Sequence, residues 1–208
     1  MLTPLRVVKI GGNELDRPRW LEACAGALAA ARPLVVVHGG GRAVDALSRR
    51  LGLPVEKREG LRVTTAEVAE VVEMALAGSI NRSVVVALRR AGLDALGLAG
   101  ADGGLFRART APGGLGYVGE IVEVRTALLD ALLLAGFTPV LAPVAPPLDG
   151  GPHDVPLNVN ADYAAAALAG ALRAAELLFI SDVAGVEVDG IVQPALDPGE
   201  VEPLIARG

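Results

Sequence analysis

The chain has 208 residues, 52% of them hydrophobic, and a net charge of −5. That length holds one α/β domain, or a large and a small lobe, around a real core. The acidic balance, only 3% aromatic residues and the lack of a basic patch argue against a nucleic-acid surface, and no run reads as a membrane span.

Met1 to Leu5 lead almost directly into a strand expected over Leu5–Ile10, with no basic stretch and apolar run ahead of it. The expected setting is therefore the cytoplasm. A helix follows over about Pro18–Arg32, with Trp20, Cys24, Leu28 and Ala31 on one stripe. Cys24 is the single cysteine, so it offers neither a disulfide framework nor a metal cluster and reads as core packing. A second strand, Leu34–His38, leads to a helix carrying Val44, Leu47 and Leu51 and closed by Gly52 and Pro54. Val55–Val63 reads as a short hairpin around Glu59-Gly60. Thr64-Thr65-Ala66-Glu67 has the spacing of a capping box and opens a long helix with Val68, Val71, Val72, Ala75, Leu76, Ile80, Val84 and Leu88 in register, stopped by Gly92.

Further strands are expected at Ala95–Leu98, Leu105–Ala108 and Tyr117–Val124, then a helix over Thr126–Ala135 and a strand at Pro139–Ala142. A loop rich in proline and glycine reaches Pro156. Asn160–Ala174 reads as a helix, Leu177–Ser181 as a strand and Val186–Val192 as a hairpin with Asp189-Gly190 at its tip. Strands alternating with helices predict an α/β fold with a mainly parallel sheet covered on both faces.

Two strand ends carry chemistry. Lys9-Ile10-Gly11-Gly12-Asn13 and His38-Gly39-Gly40-Gly41 each place glycines between a β-branched run and a helix, which exposes backbone N–H groups to an anion. Lys9 stands out because Lys57 is the only other lysine, the remaining 17 of 19 basic residues being arginine. A compact ammonium within a glycine turn suits a phosphoryl group. His38 abuts a glycine turn and reads as structural, and His153 as a solvated loop residue. Gly114-Leu115-Gly116-Tyr117-Val118-Gly119 matches the dinucleotide fingerprint, but it runs into a strand rather than opening a helix, which removes that reading. Late in the chain, Asn158, Asn160 and Asp162 alternate with apolar residues at a helix entrance, and Ser181-Asp182 follows another strand, where an aspartate can face nucleotide or Mg²⁺.

The ordered set KIGGN, VHGGG, GLRVT, GYVGE, NVNAD and SDVAGV resembles the N-acetylglutamate kinases of the amino acid kinase superfamily over essentially the whole chain. The resemblance implies a three-layer αβα sandwich, with residues up to about 155 binding the acyl-amino acid and about 156–208 beginning the ATP lobe. It implies phosphorylation of the side-chain carboxylate of N-acetyl-L-glutamate by ATP with Mg²⁺, in arginine synthesis. Lys9 then matches the lysine that stabilises the transferring phosphoryl group, and Asp162 the aspartate that positions the catalytic lysines. Gly11, Gly12, Gly40 and Gly41 match backbone donors, the first two on the ATP side and the last two on the substrate side. Arg62 matches the arginine on the substrate α-carboxylate, and Asn158 a side chain on the same substrate. Ser181, Asp182, Val183, Ala184, Gly185, Val186 and Glu187 match the nucleotide loop, and no metal ligand set is implied within the protein itself.

Relatives continue beyond the region of Leu204–Gly208 with a second catalytic lysine, so a further C-terminal segment is expected; without it the chain reads as a binding homologue. An N-acetyl-aminoadipate kinase of lysine synthesis is the enzymatic alternative. The short stretch before the first strand lacks the helix that links dimers into arginine-inhibited hexamers, so a homodimer insensitive to arginine is expected, joined by the helix of about Ala66–Ala91.

Overall fold

A computed structural model describes residues 4–58, 60–151 and 154–206 of the chain. Five strands form a parallel sheet: β1 (Arg6–Ile10), β2 (Leu34–His38), β5 (Ala95–Ala99), β8 (Thr138–Ala142) and β11 (Glu176–Ile180), in the order β11-β1-β2-β8-β5. The two strands that end in glycine turns, β1 and β2, are neighbours in register, Ile10 opposite His38.

Strand periodicity explains the layers. Alternate residues of the same strands feed two separate cores: Val8, Ile10, Leu34, Val36, Val140 and Ala142 on one face, Val7, Val35, Val37 and Leu141 on the other. The first face is covered by α1 (Pro18–Leu28), α2 (Gly41–Arg50) and the continuous helix built from α3 (Ala66–Glu73), a π-helical stretch (Met74–Ile80) and α4 (Asn81–Arg90). On the other lie α5 (Ala127–Leu134), α6 (Ala161–Ala171) and a four-stranded sheet, β6-β7-β10-β9, made of Phe106–Thr110, Val118–Val124, Leu157–Val159 and Val144–Ala145. The αβα sandwich is thus present. Two hairpins complete it, β3 (Lys57–Arg58) with β4 (Leu61–Arg62) and β12 (Glu187–Val188) with β13 (Ile191–Val192), followed by α7 (Pro198–Ile205).

The long helix is, by length and composition alone, apolar enough to cross a membrane, although Glu67, Glu70, Glu73 and Arg82 interrupt it. Its apolar side is taken up by the core, where Val68, Val72, Leu76, Ile80, Val84 and Leu88 are all buried. These residues recur every four positions. In an uninterrupted α-helix of 3.6 residues per turn such a stripe drifts by about 40° per step and leaves the core within a few turns. The wider π-helical turns absorb that drift, so both ends of the helix keep their apolar residues in the first core.

Several boundaries differ from expectation. Thr65, rather than Thr64, is the N-cap: its Oγ1 accepts from Val68 N, while Glu67 Oε2 accepts from Thr65 Oγ1. Thr64 is buried and instead binds the loop before β7, donating its N–H to Leu115 O and accepting from Tyr117 N. The helix expected over Asn160–Ala174 spans Ala161–Ala171, because Asn160 caps it by accepting from Asp162 N and Tyr163 N and Arg173 turns to a φ of 49°. The short strands β9 and β10 and the helix α7 were not expected, although Asp197 and Glu200 form a full capping box before α7. His153 and Glu59 lie outside the described residues.

Candidate functional site

A cavity of about 440 Å³ opens at the carboxyl ends of β1, β2 and β11. Brought together on its walls are Lys9, Gly11, Gly12, Gly40, Gly41, Arg62, Asn158, Asp162, Ser181 and Asp182. Residues from both ends of the chain meet here because β1 lies between β2 and β11.

The two glycine turns press backbone against backbone. A Cβ on Gly12 would come within 2.9 Å or less of Gly40 and Gly41 main-chain atoms, so no larger residue fits between the turns. A Cβ on Gly40 would strike Ile80 Cδ1 and, at 2.7 Å, Leu76 Cδ2, side chains delivered by the π-helical stretch. The Gly11 N–H is taken up by Ile180 O at 2.7 Å, extending the β1–β11 ladder by one residue. Among the described residues, the N–H groups of Gly12, Gly40 and Gly41 meet no backbone acceptor, and Gly41 begins α2 with its N–H directed out of the helix end.

Lys9 projects from β1 and forms an ion pair with Asp162 of the first turn of α6, Nζ to Oδ1 at 2.9 Å. The lysine side chain is 13% exposed and the carboxylate about half exposed, so the pair sits at the cavity wall with its open side on the aspartate. Asn158 Nδ2 donates to Thr64 Oγ1 at 3.2 Å, tying β10 to the segment after β4. Asn160 also lines the cavity, but its Oδ1 serves the helix cap.

Arg62 is buried. Its Nη2 donates to Gly41 O at 3.1 Å and to the carboxylate of Asp45, and its Nη1 is buried with no partner among the described residues. The nucleotide-loop residues divide. Ser181 and Asp182 reach the Lys9 cavity, and Asn13 Nδ2 donates to Asp182 Oδ2 at 3.1 Å, joining the first glycine turn to this loop. Val186 and Glu187 instead line a second cavity of about 440 Å³ with Leu196, Val201, Leu204 and Ile205. Val183 stands exposed, Gly185 has a φ of 155° and Ala184 lies exposed between them, outside both cavities.

His38 is wholly buried at the end of β2 and does not line the Lys9 cavity. Its Nε2 accepts from Asn81 Nδ2 at 3.1 Å, which fixes the proton on Nδ1, where it is donated to Gly39 O at 2.9 Å. Burial pushes its pKa down from 6.5 to about 4, so the ring is neutral and structural. Cys24 packs against the first core, and burial raises its thiol pKa. Asp45, missing from the sequence-based set, is the residue that periodicity could not offer: on α2 it reads as one more polar position, and only the fold brings it against Arg62.

Comparison with known proteins agrees with this architecture. The profile of the amino acid kinase family matches residues 4–191. An acetylglutamate kinase of Chloroflexus aurantiacus is 47% identical over 211 residues, covering 100% of this chain and 82% of the relative. The solved structure of smu.665 from Streptococcus mutans superposes with a TM-score of 0.84 at 30% identity, covering 98% of this chain and 82% of that one. An N-acetylglutamate synthase from Neisseria gonorrhoeae, at 24% identity, shares the fold with a TM-score of 0.81 over 99% of this chain and 48% of its own. With parallel sheet, paired glycine turns and sequence all in agreement, the chain belongs to the amino acid kinase family.

Proposed function

We propose that the chain phosphorylates the side-chain carboxylate of N-acetyl-L-glutamate with ATP, as an acetylglutamate kinase of arginine synthesis. The observation that carries this reading is the Lys9–Asp162 pair set beside two facing glycine turns, with the Arg62 guanidinium lining the same cavity. Phosphoryl transfer needs neutralised charge and in-line positioning more than covalent help. In this reading Lys9, oriented by Asp162, meets the charge developing on the transferred group, and the N–H groups of Gly12, Gly40 and Gly41 surround it. A carboxylate is already a nucleophile, so no general base is required, in keeping with a histidine that is buried and neutral. Arg62 offers Nη1 to the substrate α-carboxylate, and Asn158 contacts the same molecule.

The nucleotide lies toward Gly11, Gly12 and Ser181–Glu187. Among the described residues no three carboxylate, histidine or cysteine side chains cluster as a metal cage. Mg²⁺ would then ride on the ATP phosphates, spreading their charge, with Asp182 the carboxylate facing that end of the cavity. We further propose a cytoplasmic homodimer that meets its partner through the outer side of the Ala66–Arg90 helix, where Met74 and Val86 are exposed.

A coupled ADP assay beside calorimetry tests the substrate. Turnover with N-acetylglutamate, at a kcat/KM about 10- to 200-fold above that for N-acetyl-aminoadipate, is expected, since the two differ by one methylene. The reverse preference would make the chain the lysine-pathway enzyme. Heat of binding without ADP release would make it a non-catalytic binding protein.

A further inference from the structure

We propose that Asp45 is a positioning residue for the acyl-amino acid, acting through Arg62. It holds one arm of the guanidinium so that the other stays available to a carboxylate. The proposal rests on the reading of Arg62 as the clamp for the substrate α-carboxylate.

Three observations converge on Asp45. It is a buried carboxylate on α2 that does not line the cavity, so it touches no substrate there. One of its oxygens accepts from Arg62 Nη2, which also donates to Gly41 O, so that arm of the fork is fully used by the protein. The other arm, Nη1, is buried and has no partner among the described residues, although a buried guanidinium N–H left unpaired is costly. Asp45 and Gly41 thus fix the plane of a flexible side chain and leave one unsatisfied donor on a residue of the cavity wall. Nη1 itself is closed to solvent, so a carboxylate must shift the atoms that cover it, and it then meets a donor already oriented, with little side-chain entropy left to lose.

Charge gives the second half of the argument. An isolated Arg62–Asp45 pair is neutral and would hold an anion weakly. Lys57, on β3, approaches the second oxygen of Asp45 at 3.4 Å and also lines the cavity. The cluster of two cations and one anion keeps a net single positive charge, matched to one carboxylate. Its arginine and aspartate side chains are only 7% and 13% exposed, while Lys57, which brings the excess charge, is 48% exposed and stands at the solvent side of the cluster.

The test is steady-state kinetics on Asp45→Asn, Asp45→Glu, Arg62→Gln and the double variant Asp45→Asn/Arg62→Gln, each with N-acetylglutamate and with ATP as the varied substrate. Asp45→Asn should raise the KM for N-acetylglutamate about 10-fold, with kcat and the KM for ATP within about twofold of the parent. Asp45→Glu keeps the buried charge pair, and hence the fold, but moves the carboxylate by one methylene. It should raise the same KM several-fold with an unchanged melting temperature. The double variant should be no worse than Arg62→Gln alone, because Asp45 acts only through the arginine. Additive losses, or Asp45 variants with an unchanged KM beside an impaired Arg62→Gln, would overturn the positioning role and leave the Arg62 clamp standing. An Arg62→Gln variant with the parent KM would overturn both.

Discussion

Lys9 carries most of the chemistry assigned to the cavity and can be tested alone. Lys9→Ala should lower kcat by about 10²–10³, the usual loss for one preorganised donor, with a smaller change in KM; a kcat within threefold of the parent would refute the role. His38 makes a different kind of contribution. Its pKa is lowered from 6.5 to about 4 by burial, so the folded state holds fewer protons than the unfolded state between those values. Its contribution to stability is therefore fully present above pH 6.5 and is lost as pH falls toward 4, by roughly 3 kcal/mol at about 1.36 kcal/mol per pKa unit. Urea midpoints should fall between pH 7 and pH 4.5, and His38→Asn should flatten that slope. A midpoint unaffected by pH in the parent would show that the ring does not titrate with unfolding. Lys9 was legible from the sequence because lysine is scarce and the glycines mark its turn. The Asp45–Arg62 bond was not legible, because nothing local distinguishes a buried aspartate on an amphipathic helix from a solvated one.

At the scale of elements, the apolar stripe of the long helix was visible residue by residue, but the π-helical turns within it were not, because Val68, Val71, Val72, Ala75 and Leu76 also fit ordinary helical spacing. Those turns place Leu76 and Ile80 against the Gly40 backbone. Gly40→Ala should therefore overpack this contact and destabilise the fold by about 1–3 kcal/mol in urea unfolding. Adding Ile80→Ala should recover part of the loss relative to Ile80→Ala alone; strictly additive losses would place the clash elsewhere. The parallel sheet was legible from β-branched runs alternating with helical periodicity. The three-residue strand Leu157–Val159 was not, since its pairing with Val118 and Val144 exists only once β7 and β9 are in place.

At the scale of the molecule, the proposed dimer has its own check. Light scattering should give the mass of two chains, and Val86→Glu, which puts a charge on the exposed side of the long helix, should shift the equilibrium toward one. A parent of monomer or hexamer mass would sink the assembly. The strand order carries one more consequence. Lys9 precedes its partner Asp162 and the flanking strand Glu176–Ile180 by a long stretch of chain. A nascent chain therefore keeps this lysine unpaired and one edge of β1 open until those residues emerge. That edge, a row of unmatched amides awaiting a strand so distant in sequence, is where a chaperone would have most to protect.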